Sequence, residues 1–121
     1  MQIVFNEISA AELSKLPTQT QFHLLEAMNI QPSDLEGDTL AKRFGVLERG
    51  TKRLYRCRAG DYRIYFAVEE GNVRVHRVLH KGTLADFLFR SNLPVSEDEA
   101  LAQSKNFWKM IDEGARTTKV W

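Results

Sequence analysis

Residues 54–69 read LYRCRAGDYRIYFAVE, two runs of alternating side chains joined at Gly60-Asp61. Alternation with period two marks a half-buried strand, and a glycine between two such runs marks a tight turn. The segment is therefore expected to form a hairpin from strands at 54–59 and 61–69. Arg56 and Arg58 are two apart and share one strand face. Cys57, between them, points the other way and reads as a small core residue. On the returning strand Tyr62, Ile64, Phe66 and Val68 share one face, and Arg63, Tyr65 and Ala67 share the other. The hairpin gathers Arg56, Arg58 and Arg63. Like charges opposed across a sheet destabilise it. The cluster implies an anionic partner, phosphate above all, or else a solvated polar face.

Downstream, Glu69-Glu70-Gly71-Asn72 supplies a second tight turn, and 73–79, VRVHRVL, a third strand, completing an antiparallel meander. Upstream, strand signals begin near Phe44 to Leu47, and ERGTKR at 48–53 reads as an exposed turn. The chain starts with a β-rich run, QIVFN at 2–6. Ser9 and Glu12 have capping-box spacing for a short helix from Ala10 to about Leu16, stopped by Pro17. Thr18 caps a second helix through about Asn29, with Phe22, Leu25 and Met28 at helical spacing. A Pro-, Gly- and Asp-rich loop follows at 32–38.

Beyond the meander, 83–89 has room for one or two helical turns, and Asn92-Leu93-Pro94 interrupts the chain. Ser96 and Glu99 form a second capping-box signature. One helix is expected from Glu97 to about Glu113, with Leu101, Ser104, Trp108 and Ile111 on a stripe that Phe107 widens. Gly114 suits its C-terminal cap. The class is α+β: an N-terminal strand and two helices packed on an antiparallel β-meander sheet, plus an added C-terminal helix. The first two helices cover one sheet face, and the arginines stand on the other, exposed one. The C-terminal helix has two placements, over the basic face or on the helical side, and the sequence leaves both open.

At 121 residues the chain is one domain with room for a real core. No apolar run approaches the length of a membrane span. MQIVFNEIS has neither a basic region nor a long apolar run, which argues against a secretory signal. One cysteine permits no internal disulfide, and a cytoplasmic location is the expectation. The net charge of +1 hides an uneven distribution. Residues 1–41 carry one Lys and six acidic groups, whereas residues 42–81 carry eleven Lys or Arg against four acidic groups. A middle third this basic is a local electrostatic footprint.

The pattern resembles the RelE/ParE toxin superfamily of bacterial toxin–antitoxin systems. The resemblance covers roughly residues 1–90, expected to form the toxin domain, with 91–121 as a helical extension of it. It rests on the strand–helix–helix–meander order and on the hairpin Tyr55-Arg56-Cys57-Arg58-Ala59-Gly60-Asp61-Tyr62-Arg63-Ile64-Tyr65-Phe66. The strand ending Val78-Leu79-His80-Lys81 adds to it. The hairpin marks the superfamily and not a branch of it. Some branches look like ribosome-associated mRNA endonucleases; others poison DNA gyrase without cutting nucleic acid.

In the nuclease branch the resemblance assigns catalytic positions to Arg56, Arg58, Arg63 and Lys81, the last where the family often has Arg. A family aromatic, often Tyr, falls at Phe87, which has no hydroxyl and could stack on a base but not donate a proton. Lys52, Arg53, Tyr65 and Arg77 extend the expected nucleic-acid surface. The resemblance implies a metal-free reaction with no cofactor, in which the ribose 2′-OH attacks phosphorus and expels the 5′-oxygen. It also implies a cognate antitoxin, mRNA and the ribosome as partners; the absence of a long apolar run implies no membrane, and an exposed stripe on the C-terminal helix would suit an antitoxin or a homodimer.

Guanidiniums suit the charge that builds on the phosphate oxygens, because each grips two of them. Arginine stays charged, however, and transfers protons poorly. His80 is the first candidate for that role, since imidazole titrates near neutrality; the alternative is an ordinary strand-end residue. His76 is expected on the same strand face as His80 but about 13 Å away. His23 reads as a surface or core-edge residue. No HExxH, no CxxC and no Gly-rich phosphate loop occurs. The leading reading is a metal-independent mRNA endoribonuclease toxin. A gyrase-type protein-binding toxin and a non-toxic RNA-binding descendant are the alternatives.

Overall fold

The computed structural model describes residues 2–38, 40, 44–84 and 97–115. The quoted hairpin forms as β3 (Lys52–Ala59) and β4 (Tyr62–Glu69), flanked by β2 (Phe44–Arg49) and β5 (Asn72–His80). These four strands make an antiparallel meander, and β1 (Gln2–Phe5) pairs parallel with β5, giving the order β1-β5-β4-β3-β2. The turn expected at 48–53 narrows to Gly50-Thr51, because its charged residues continue the strands on either side. Gly60 supplies the left-handed backbone of the β3–β4 turn, φ +60°.

Between β1 and the meander lie α1 (Glu7–Ser14), α2 (Thr18–Ala27) and a 3₁₀ turn, Pro32–Leu35. The cap of α1 is Asn6 and not Ser9. Asn6 Oδ1 accepts from the Ser9 amide at 2.7 Å, and Ser9 Oγ accepts from the Asn6 amide at 3.1 Å. The same Asn6 donates to the carbonyls of Val75 and His76, so the cap also ties α1 to β5. The helix therefore starts three residues earlier than the Ser9 signature suggests.

The C-terminal helix expected from Glu97 is two helices, α3 (Glu97–Ala102) and α4 (Lys105–Ala115). Ser104 ends the first and caps the second, its Oγ accepting from the Phe107 amide at 3.2 Å. A serine side chain that can bond a backbone amide competes with continued helix.

Two cores lie on the two faces of the sheet. On one, α1 and α2 bring Leu13, Leu24 and Met28 against Phe5, Cys57, Ile64 and Phe66. On the other, α3 and α4 bring Leu101, Phe107, Trp108 and Ile111 against Leu47, Leu54, Tyr65 and Leu79. Burying each large apolar side chain is worth about 1.5–3 kcal/mol, so the second core holds α4 and the Leu101 end of α3 against the sheet. This corrects the expectation of an exposed arginine face: of the two placements, the helices take the one over the basic face.

A bulge in β5 resets its alternation, because pairing passes from Tyr65–Arg77 to Phe66–Val75 and skips His76. Val75 and Val78, three apart, both enter the first core. His76 and His80 therefore do not share a face by simple alternation, as their spacing had implied. Gly114 lies inside α4 and not at its cap. A methyl group there would collide with the His76 carbonyl, so glycine lets the helix approach the bulge. No described helix is long and apolar enough to cross a membrane.

Candidate functional site

The β3–β4 ladder sets Arg58 directly opposite Arg63, and Arg56 opposite Tyr65, all on the face that α3 covers. Two opposed guanidiniums need an anion between them, and Glu97 of α3 supplies it. One carboxylate oxygen lies 3.3 Å from Arg58 and the other 3.4 Å from Arg63. Arg63 is further fixed by donating to the carbonyls of Gly60 and Tyr62. Next to this group Asp98 takes Arg56 in a two-pronged contact, Nε to Oδ1 at 3.0 Å and Nη2 to Oδ2 at 2.8 Å. The side chains of Arg56 and Asp98 are only 12% and 21% exposed, so this pair is largely desolvated. Burial works against the Arg56 charge, yet the hydrogen bond and charge of Asp98 outweigh it and raise its pKa further.

Tyr65 lies beneath this cluster, fully buried, with its ring edge-on to Phe107 at 5.0 Å. Among the described residues its hydroxyl has no hydrogen-bond partner. Burial, then the charges of Glu97 and Asp98, push its pKa up, so it stays protonated. A ring in this position covers the sheet and has no open face for a base while α4 is in place.

The remaining expected residues scatter around the cluster. Lys81 sits at the end of β5 and pairs with Asp61 of the Gly60 turn at 3.1 Å, which lowers the Asp61 pKa through the hydrogen bond and charge of Lys81. His80 is the ladder partner of Tyr62, and the two rings meet edge-to-face at 5.2 Å. Tyr62 packs against the first core, so His80 stands on the opposite side of the sheet from Arg63. Its Nδ1 accepts from the Gly82 amide at 2.9 Å. Lys52 pairs with Asp112 of α4 at 2.8 Å, and Arg53 lies 3.5 Å from Glu48 and over the Tyr55 ring. Arg77 is a joint of the fold: it grips Glu12 of α1 at 2.8 Å and donates to the Met110 carbonyl of α4. Phe87 falls outside the described residues, as do Asn92-Leu93-Pro94 and the Ser96 cap.

Glu97 and Asp98, read from sequence only as the start of a helix, turn out to be the partners of the arginine cluster. The signal available was electrostatic: Glu97-Asp98-Glu99 follows a middle third that is strongly basic. Sequence reading also missed Lys105 and Lys109. They join Arg49, Lys52 and Trp108 around an open cleft of about 540 Å³ between the β2–β3 turn and α4. Among the described residues no group of three or more His, Cys, Asp or Glu side chains is placed to hold a metal ion. What the arrangement can do chemically is grip a multiply charged anion through three converging guanidiniums.

Residues 7–84 match the family model described as ParE toxin of type II toxin-antitoxin system, parDE. Among solved structures, the archaeal RelE–RelB complex from Pyrococcus horikoshii OT3 is similar, with 22% identity and a TM-score of 0.51 over 67% of this chain and 94% of that one. At that identity the likeness bears on the fold alone. No curated protein matches the chain. Helices α3 and α4, with Glu97 and Asp98, lie beyond the family match.

Proposed function

The chain belongs to the RelE/ParE family of type II toxin–antitoxin toxins, and on that premise we propose that it is a metal-independent mRNA endoribonuclease acting at the ribosome. The observation that carries this reading is the convergence of Arg56, Arg58 and Arg63 on two adjacent carboxylates, a geometry that also fits phosphate oxygens. In the reaction the 2′-oxygen attacks phosphorus, the 5′-oxygen leaves, and the three guanidiniums stabilise charge on the oxygens that stay. Lys81 is a further cation beside the turn. His80, stacked edge-on against Tyr62 on the opposite side of the sheet, does not reach a phosphate held by Arg63. The 2′-hydroxyl proton therefore passes to water, and water protonates the departing 5′-oxygen.

The Pyrococcus RelE was solved with RelB, and we extend to this chain a small antitoxin attracted to the same cations. RNA from cells expressing the protein tests the reaction. Fragments ending in 2′,3′-cyclic phosphate, or the 3′-phosphate formed from it, with 5′-hydroxyl partners are expected. Fragments with 5′-phosphate and 3′-hydroxyl ends contradict the proposal.

A second reading, a toxin that acts by binding a protein such as gyrase, is favoured by α2. Phe22 is 63% exposed there, and Leu25 is exposed beside it. An apolar pair on an N-terminal helix suits a protein contact better than a nucleic-acid one.

A further inference from the structure

We propose that the acidic start of α3 is a built-in competitor for the anion taken by the arginine cluster. Glu97 and Asp98 close the site, and the site opens when they leave. This inference rests on the reading of Arg56, Arg58 and Arg63 as a phosphate-binding group. Glu97 divides its two oxygens between the opposed Arg58 and Arg63, as two oxygens of one phosphate would. Asp98 meets Arg56 in the parallel two-bond form that guanidinium also offers to phosphate.

The sheet is shaped to admit this contact. Gly45 lies opposite Arg56 in the β2–β3 register, and its backbone is not in the left-handed region, so conformation does not demand glycine there. Space does: a methyl group at Gly45 would collide with both the Asp98 carboxylate and the Arg56 guanidinium. The Tyr65 hydroxyl, buried without a partner among the described residues and with Glu97, Asp98, Arg56 and Arg63 as its charged neighbours, is a polar group that a purely apolar seam would not carry.

The two carboxylates are consecutive and leave together. The end of α3 is anchored: Leu101 is fully buried, Ala102 packs on the second core, and the Trp108 indole donates to the Ala102 carbonyl. Glu97 and Asp98 in its first turn contribute nothing to that core, so the first turn lifts while Leu101 stays.

The test uses the full chain and two probes, inorganic pyrophosphate and mRNA bound to ribosomes, at fixed ionic strength because exposed charges are screened. Calorimetric titration of E97Q/D98N with pyrophosphate is expected to show binding at least about tenfold tighter than wild type, equivalent to about 1.4 kcal/mol. Glu97→Gln alone releases Arg58 and Arg63 while leaving the Arg56–Asp98 pair in place, and is expected to gain in the same direction. It decides the matter where E97Q/D98N fails to fold, judged by Trp fluorescence. Adding Arg63→Ala to the tighter variant is expected to remove the gain. Unchanged affinity in the folded variants, or a gain that survives Arg63→Ala, overturns the proposal. The RNA arm separates the two ideas. A pyrophosphate gain without cleavage of ribosome-bound mRNA keeps the clasp and sinks the nuclease reading. Cleavage by wild type as fast as by the variants keeps the nuclease and sinks the clasp.

Discussion

His76 shows how a single position records the packing around it. It is buried at the β5 bulge where Gly114 of α4 presses on its carbonyl, and its charged neighbours are Arg74, Glu69 and Asp112. Burial, then the charge of Arg74, lowers its pKa from the ordinary 6.5. The unfolded chain therefore takes up a proton at a pH where the folded chain does not. The stability this residue contributes is complete above pH 6.5 and is lost as pH falls through the lower folded-state value. Thermal melts are expected to fall more steeply between pH 7 and 5 in wild type than in His76→Gln. Parallel profiles would show that the ring is not held neutral. The bulge left a trace in the sequence that alternation alone did not decode: VRVHRVL alternates through Val75, then sets His76 and Arg77 side by side, and the ladder skips His76 there.

At the level of elements, the hairpin was legible almost residue for residue. Its alternation and turn glycine are local facts, and the structure keeps Arg56 and Arg58 on one face with Cys57 behind. Helix ends were less legible, since several residues near each end can serve as cap. Asn6 displaced Ser9 because it also reaches β5, a contact between residues about seventy positions apart that no local pattern encodes. Ser104 was read as part of an apolar stripe, yet it caps α4. Ser104→Ala is expected to lower stability by about 1 kcal/mol, read from denaturant unfolding. A change under a few tenths would mean that the α3–α4 break is set by packing and not by the serine.

Across the whole molecule, the charge distribution and the topology explain each other. A basic middle third needs anions, and α3 returns with Glu97 and Asp98 to supply them over the face opposite α1 and α2. The sequence showed the cations and left the placement of the C-terminal helix open, because an amphipathic stripe fits either side of a sheet. Burial of Tyr65 and Leu79 under Phe107 and Trp108 decides it. The family match describes the toxin portion and stops at residue 84. The candidate site is therefore built from a family hairpin and a closing segment that lies outside that match.

Induced expression in a bacterial host, with pulse labelling of protein and DNA synthesis, tests the central claim that the arginine face acts on RNA. Wild type and E97Q/D98N would run beside the same chains carrying Arg58→Ala, chosen because the Arg58 side chain is 51% exposed and its loss is expected to spare the fold. Protein synthesis is expected to stop first, sooner with E97Q/D98N, and to continue when Arg58 is removed. An arrest of DNA synthesis ahead of translation, or a translation arrest that survives Arg58→Ala, would contradict the account.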